Sequence, residues 1–315
     1  MSGFTVTAGV SFSGGFTFTE APPPVENTAA WFGGGSVGFS PGSRSIIDRI
    51  TFATDTATAS VRGPLSSGKT RLAAVSNTTY GWFGGGNLFS TVERITYATD
   101  TAATSTRGPL SLARYGLAAA GNTTDGWFGG GYAPASYRSR VDRITYATDT
   151  DTASVRGPLS LARFYLAATG NTTDGWFGGG SVSGSSRSTV DRITYATDTD
   201  TASVRGPLSL ARSILAAAGN TTDGWFGAGD QTSRVDRITY ATDTATASVR
   251  GPLSATRSYM AAAGNSTDGW FGGGYGGSTS STVFRITYAT DTATASTRGP
   301  LSAARYCLAA AGGIQ

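Results

Sequence analysis

Short runs in which apolar and polar residues alternate recur along the whole chain, and no segment carries the sustained apolar stripe of a helix. Residues 141–146 alternate with the period of a strand, and residues 117–120 form a run of small apolar side chains. Residues 127–129 end in glycine, which suits a strand end that approaches another backbone closely. A fourth segment, near residues 152–156, stops at a Gly-Pro pair that cannot continue strand pairing. These patterns predict four short strands, with an Asp-Gly hairpin turn between the first and the second.

The same pattern is repeated six times. Each copy contains Trp-Phe-Gly, then Arg-Ile-Thr-(Tyr/Phe)-Ala-Thr-Asp, then Arg-Gly-Pro-Leu-Ser, and finally a basic residue before a Leu/Met-Ala-Ala run. Four strands in each of six units predict an all-β fold, a six-bladed β-propeller of four-stranded blades. The tryptophans that mark the copies are 45 to 51 residues apart: Trp31, Trp82, Trp127, Trp176, Trp225 and Trp270.

The first and last repeats are incomplete in complementary ways. No Leu-Ala-Ala strand precedes the first repeat, whereas the last repeat is followed by one at residues 308–311. We therefore expect the C-terminal strand to pair into the N-terminal blade and close a propeller that spans residues 25–315. Residues 1–24 alternate on either side of a Ser-Gly-Gly turn and end in three prolines, which predicts a β-hairpin with a stiff linker that docks elsewhere.

The order of these motifs resembles the kelch repeat over residues 25–315. In kelch repeats a glycine pair ends the second strand, and a Pro-x-x-x-Arg stretch leads into the next blade. The matching phrases here are Trp127-Phe-Gly-Gly-Gly and Pro158-Leu-Ser-Leu-Ala-Arg. Two features depart from the pattern, because tryptophan opens the second strand instead of following the third and most glycine pairs are extended to three. The resemblance implies a kelch-like propeller and points to no functional subfamily.

Composition excludes several kinds of chemistry. The 315 residues include no histidine and one cysteine, so the chain cannot build a Ser-His-Asp or Cys-His catalytic site, a His-ligated metal site or an internal disulfide. The glycine-rich phrase lacks the Lys-Ser/Thr of a P-loop, and we expect neither a cofactor nor a metal. The net charge of +4 is small and spread along the chain, which predicts no nucleic-acid partner. No apolar stretch is long enough to span a membrane.

Charged residues recur at fixed positions in the repeats. Asp142, Arg143, Asp149 and Arg156 have counterparts in most copies, and we expect them to pair within or between blades. The basic residue before the inner strand forms a ring on one face, for which ligand binding is the alternative to the favoured structural role. The repeated tryptophan and tyrosine are also able to stack on sugars, but packing between blades is favoured. The basic ring consists of Lys69, Arg114, Arg163, Arg212, Arg257 and Arg305.

The repeats differ most in the loops between the second and third strands, which all lie on one face of a propeller. These loops vary in length and are rich in serine, glycine and aromatic residues. Recognition tends to reside in variable loops on a rigid scaffold, and neutral drift in solvated loops is the alternative. The candidate recognition residues are Phe39, Phe89, Tyr132, Tyr137 and Tyr275.

Three functional hypotheses fit these features. The near-identical Gly/Ser/Thr-rich repeats resemble Gly-rich repeat proteins of bacteriophage tails and fibres, which implies a non-enzymatic virion protein (tail, fibre or capsid accessory). Residues 1–24 would then bind other virion proteins, the variable loops would face a host glycan or protein, and the absence of a secretory signal predicts assembly in the host cytoplasm. A lectin-like glycan-binding propeller is the second hypothesis. An enzyme is the least favoured, because kelch-like copper oxidases use histidine ligands, and sialidase-type chemistry needs an Arg cluster with Tyr and Glu partners.

Overall fold

Six four-stranded antiparallel sheets follow one another along the chain in the computed structural model, which describes residues 27–38 and 42–312. They are the blades of a β-propeller, so the predicted all-β fold is confirmed. Blades 1 to 3 contain β1 (Ala29–Ser36), β2 (Ile47–Thr51), β3 (Ser60–Arg62); β4 (Ala73–Ser76), β5 (Tyr80–Gly84), β6 (Val92–Thr96), β7 (Ser105–Arg107); and β8 (Ala118–Gly121), β9 (Asp125–Gly129), β12 (Val141–Thr145), β13 (Ser154–Arg156). The loop of blade 3 adds the small hairpin β10 (Tyr132–Ala133) and β11 (Ser136–Tyr137).

The second half of the ring repeats this plan. Blades 4 to 6 contain β14 (Ala167–Gly170), β15 (Asp174–Gly178), β18 (Val190–Thr194), β19 (Ser203–Arg205); β20 (Ala216–Gly219), β21 (Asp223–Gly227), β22 (Val235–Thr239), β23 (Ser248–Arg250); and β24 (Ala261–Gly264), β25 (Asp268–Gly272), β26 (Val283–Thr287), β27 (Ser296–Arg298). The loop of blade 4 carries the hairpin β16 (Ser181–Val182) and β17 (Ser185–Ser186). The last strand is β28 (Tyr306–Ala311).

Strand β28 completes blade 1 and closes the ring. The sheet order is β28-β1-β2-β3, and the register pairs Trp31 with Ala311 and Gly33 with Ala309. The predicted closure by the C-terminal strand is therefore confirmed. The expected hairpin at residues 1–24 lies outside the described residues, as does Phe39.

Each third strand ends one residue earlier than the alternating pattern predicted. Tyr146 does not continue β12 but starts a short 3-10 helix, Tyr146–Thr148. The reason is a contact with the preceding blade, because the Tyr146 ring stacks on Trp82 with centroids 3.9 Å apart. Equivalent 3-10 helices follow the other third strands: Phe52–Thr54, Tyr97–Thr99, Tyr195–Thr197, Tyr240–Thr242 and Tyr288–Thr290.

Adjacent blades are joined by an aromatic stack and by a carboxylate that a tryptophan N–H and two arginines share. Trp127 of blade 3 stacks on Tyr195 of blade 4 with ring centroids 3.8 Å apart. The indole Nε1 of Trp127 donates to Asp198 Oδ2 at 2.8 Å. Arg143 Nη1 and Arg156 Nε of blade 3 lie 3.1 and 3.3 Å from the same oxygen. Both rings and the carboxylate are more than nine-tenths buried, so each junction combines apolar burial with charge-assisted hydrogen bonds.

This junction recurs around the whole ring. Where blade 6 meets blade 1, Phe52 replaces the tyrosine and stacks on Trp270 at 4.0 Å. The repeated charges of the sequence therefore hold neighbouring blades together. The shared carboxylates are Asp55, Asp100, Asp149, Asp198, Asp243 and Asp291.

The repeated Trp-Phe-Gly phrase is also explained by contacts between blades. Phe177 of blade 4 packs against Gly129 of blade 3, where an added Cβ would lie 2.8 Å from the Phe177 ring. A side chain at this glycine would push the two blades apart. The phenylalanine of one repeat thus requires the glycine of the preceding repeat.

Candidate functional site

Two sets of connections lie together at one end of the ring. They join the second and third strands of a blade, and the fourth strand of one blade to the first of the next. Backbone bonds link the sets, since Phe164 N donates to Ser181 O at 3.2 Å and Ser258 N donates to Tyr275 O at 2.9 Å. We call this end the variable face. Its loops between second and third strands are 37–38, 42–46, 85–91, 130–140, 179–189, 228–234 and 273–282. Its segments between blades are 63–72, 108–117, 157–166, 206–215, 251–260 and 299–307.

The basic ring predicted on this face is mostly buried beneath it. Arg163 has no exposed surface, and its Nη1 donates to Asp191 Oδ2 in the third strand of blade 4 at 2.9 Å. Ser160 donates to the same carboxylate through its backbone N and its Oγ, at 3.1 and 2.6 Å. The motif Pro-Leu-Ser-x-x-Arg therefore places a serine and an arginine on one buried aspartate of the next blade. Burial lowers the pKa of Arg163, and the Asp191 charge opposes that shift.

Two members of the ring differ from this arrangement. Lys69 replaces arginine and pairs with Glu93, which replaces aspartate, at 2.5 Å. The shorter cation is matched by a longer acid, so the buried ion pair is kept. Arg257 has Phe284 where the other blades have an acid; it is only half-buried, and its guanidinium lies 5.9 Å from the Phe284 ring centroid.

A second ring of residues surrounds the mouth of the central channel, two positions after each basic residue. Backbone N–H groups and carbonyls of these six residues form a closed circle between blades, with each N–H donating to the carbonyl of the preceding blade at 2.7 to 3.0 Å. Their side chains differ in nearly every blade. The members of this channel-mouth ring are Arg71, Gly116, Tyr165, Ile214, Tyr259 and Cys307.

All six residues of the channel-mouth ring adopt the left-handed conformation. Their φ angles lie between 57° and 65°, although five of the six are not glycine. This region is costly for non-glycine residues and most unusual for a β-branched one such as Ile214. Such strain persists where the surroundings impose it, and it clusters at functional sites.

We expect Ile214→Gly to be more stable than Ile214→Ala by about 1 kcal/mol, because the left-handed backbone has a steric cost for alanine and none for glycine. This reverses the usual order, in which glycine in a strand is roughly 0.5–1 kcal/mol worse than alanine. Urea unfolding of the two variants measures the difference. Ala217→Gly in β20 is the matched control and should follow the usual order. Equal stability of the two Ile214 variants would contradict the strain.

Aromatic side chains form one connected cluster across the variable face. Tyr165 of blade 4 and Tyr259 of blade 6 meet edge to face with centroids 5.5 Å apart, which links the two sides of the channel mouth. All the rings are half-buried, so each keeps part of its surface open to solvent. The cluster consists of Tyr115, Tyr132, Tyr137, Phe164, Tyr165, Tyr259, Tyr275 and Tyr306.

Arg71 lies in the centre of this cluster, beside Cys307. Its guanidinium carbon is 5.2 Å from the Tyr115 centroid and 5.9 Å from the Tyr165 centroid, within cation–π range. Burial raises the pKa of the Cys307 thiol to about 12, although Arg71 opposes this shift. The thiol therefore stays protonated at neutral pH and is a poor nucleophile.

The variable face also carries the unpaired positive charge of the described chain. Every described cation outside a group of five forms an ion pair with an aspartate or glutamate, whereas these five form none with any described residue. All five belong to the variable face: Arg44, Arg71, Arg138, Arg187 and Arg257.

The candidate residues from the loops have different surroundings. Tyr132 and Tyr137 pair across the β10–β11 hairpin and, with Tyr275, belong to the aromatic cluster. Phe89 is 44% exposed and contacts no other aromatic ring in the described chain. Tyr165 and Tyr259 are not among the predicted recognition residues, because they lie in the connections between blades and not in the variable loops between second and third strands.

Among the residues that the structure describes, no cluster of three or more potential ligands is arranged to hold a metal ion. None of the described helices has the length and apolar character needed to cross a membrane.

Comparison with known proteins shows the fold and nothing finer. No protein-family model matches the chain, and no curated protein matches it. Among solved structures, the chain is similar to that of YjhT, with a TM-score of 0.64 and 10% sequence identity over 78% of this chain and 88% of that chain. At this identity the likeness concerns the propeller architecture alone.

Proposed function

We propose that this protein is a non-enzymatic structural or adhesion component of a virus particle, such as a phage tail, fibre or capsid accessory protein. One observation carries the proposal: a frame repeated almost identically in six blades concentrates its differences on one face. The junctions around Asp198 and its equivalents fix the blades, while the channel-mouth ring differs in nearly every repeat. A rigid frame with one divergent face suits display of a binding surface.

The chemistry of the variable face supports binding over catalysis. Asp191 and its equivalents are buried in ion pairs, and the acid outside those pairs, Asp230, accepts from Ser213 N and Oγ at 3.0 and 2.8 Å. Cys307 is 5% exposed and holds its proton. These groups are engaged in structure and are poorly placed to transfer protons to a substrate.

The setting in a particle is supported by composition and by the kelch-like, Gly-rich repeats. In this proposal residues 1–24 bind other virion proteins and the variable face meets the host surface. A glycan-binding propeller outside any virion is the second candidate, favoured by the aromatic cluster of the variable face.

Virions purified from cells that carry this gene are expected to contain the protein in stoichiometric amounts by mass spectrometry. Antibodies against the propeller should label the particles in electron micrographs, and should block attachment if the variable face binds the host. A capsid protein and an abundant cytosolic host protein serve as positive and negative controls. Protein found only in the soluble lysate, at the level of the cytosolic control, would overturn the virion proposal.

A further inference from the structure

The mouth of the central channel combines open aromatic rings with a cation that has no acidic partner in the described chain. We propose that it is a binding site for an acidic glycan, in which Arg71 binds the acid group of a sugar and Tyr165 and Tyr259 pack against its ring. The inference rests on the proposed recognition role of the variable face and adds the class of ligand.

The two tyrosines provide surfaces on which a sugar ring can pack. Their rings lie at 86° to each other and are half-buried, so part of each ring remains open to solvent. A cavity of about 120 Å³ at the mouth is lined by these two residues together with Ile214 and Cys307. An apolar cavity of roughly 150 Å³ holds one benzene molecule, so the mouth accommodates a group of about one small ring. Sugar C–H groups pack favourably on the electron-rich faces of such rings.

Arg71 supplies a positioned charge. Tyr115 and Tyr165 contact its guanidinium, and the side chain is exposed to solvent at the mouth. A guanidinium that is held by rings but not neutralised can form two parallel hydrogen bonds to a carboxylate. Arg257 and the other unpaired arginines of the variable face add to the positive potential that an anion meets.

Backbone strain at the same positions favours function over packing. Gly116 shows that glycine fits the channel-mouth ring, and glycine would remove the cost of the left-handed backbone at the other five positions. The chain instead keeps arginine and tyrosine there. Their side chains therefore serve a purpose that stability alone does not require.

A single-stranded nucleic acid is also anionic and stacks on aromatic rings. Proteins that bind single strands align the rings along a basic groove that follows the phosphate backbone. Here the tyrosines surround a round opening with space for about one small ring. This shape favours a single acidic sugar unit.

The test is an array that carries polygalacturonate, hyaluronan, heparin, neutral dextran and oligo(dT), probed with the full-length protein. We expect at least one acidic glycan to bind more strongly than dextran and oligo(dT), and its binding to weaken as salt is raised. Titration should then show a loss of about tenfold or more in affinity for Arg71→Gln, as for other hydrogen bonds to charged groups. Arg71→Lys should recover part of the loss.

The aromatic residues are tested by variants that relieve backbone strain. Tyr165→Gly and Tyr259→Gly are expected to fold, because glycine suits φ values of 57° and 60°, and to lose about threefold to tenfold in affinity. Ala245→Asp is the matched charge control, since blades 3 and 4 carry Asp151 and Asp200 at that position. It lowers the net charge by the same amount as Arg71→Gln and should bind like the wild type.

The possible outcomes distinguish the proposed glycan site from the proposed virion role. Acidic glycans that bind no better than dextran, tighter binding of oligo(dT), or equal losses for Arg71→Gln and Ala245→Asp would overturn the site. Binding that requires Arg71 in a protein absent from virions would support the site and overturn the virion proposal. A virion protein that binds no acidic glycan would overturn the site alone.

Discussion

Ending the chain at residue 304 is expected to lower the melting temperature of the ring by about 10 °C or more. The truncation removes β28, which leaves one edge of β1 unpaired. It also removes Arg305, whose Nη2 lies 2.7 Å from Asp48 in blade 1, where both groups are fully buried. Breaking such a pair costs about 3–5 kcal/mol, and losing a buried leucine such as Leu308 costs about 1.5–3 kcal/mol more. The sum approaches the whole stability of many domains, roughly 5–15 kcal/mol.

Differential scanning calorimetry of the full-length and truncated proteins measures this effect. The truncation also opens the channel-mouth circle, because Cys307 contributes two of its six bonds. A peptide of residues 305–312 added in excess should restore part of the melting temperature by filling the vacant edge, and a scrambled peptide should not. A truncated ring that melts within about 2 °C of the full-length protein, less than 1 kcal/mol of effect, would show that closure by β28 contributes little.

The fold was largely predictable from sequence because the same motifs recur in every blade. Six copies of Trp-Phe-Gly fixed the number of blades, and the missing first strand of the N-terminal repeat fixed the partner of β28. The 3-10 helices were not predictable from local pattern, since Tyr146 continues the alternation of a strand. Its position is set by Trp82, a residue of another blade that lies 64 places earlier in the chain.

The candidate site was predictable only in part. The loops gave Tyr132, Tyr137 and Tyr275, but the centre of the aromatic cluster is made by residues that precede the inner strands. These residues occupy equivalent positions in the aligned repeats, where Arg71 of one repeat corresponds to Tyr165 of another. The left-handed backbone of the channel-mouth ring could not be predicted, because five of its six residues are not glycine.

The two partners of the buried ion pair change together between repeats. Lysine and glutamate occur together in blade 2, in place of arginine and aspartate. Thr104, which replaces the alanine of other blades, donates to Glu93 at 2.6 Å, and Thr91 accepts from Lys69 Nζ at 2.7 Å. The exchange of both partners indicates that the pair, more than either residue, is what this position requires in the five blades that keep an acid there.

Asp191→Ala is therefore expected to destabilise the protein by about 3–5 kcal/mol. The substitution leaves Arg163 buried without its carboxylate and removes the acceptor of Ser160 N and Ser160 Oγ. Denaturant unfolding measures the loss. Asp151→Ala is the matched control, because Asp151 is exposed and forms no ion pair with any described residue; it should change stability by less than about 0.5 kcal/mol.

The Lys69–Glu93 pair of blade 2 suggests a second test, in which both partners of the Arg163–Asp191 pair are exchanged together. Arg163→Lys and Asp191→Glu should each destabilise blade 4, because one side chain becomes too short for its partner or too long for its space. Together they recreate the Lys69–Glu93 pair, and Thr189 already stands where blade 2 has Thr91. We expect the double variant to recover at least half of the summed single losses, a coupling of about 1–3 kcal/mol. Adding Ala202→Thr, the equivalent of Thr104, should recover more, since the longer acid then gains a threonine hydroxyl as a further donor. Strictly additive losses would instead mean that each residue acts alone, and that the covariation in blade 2 has a cause other than this contact.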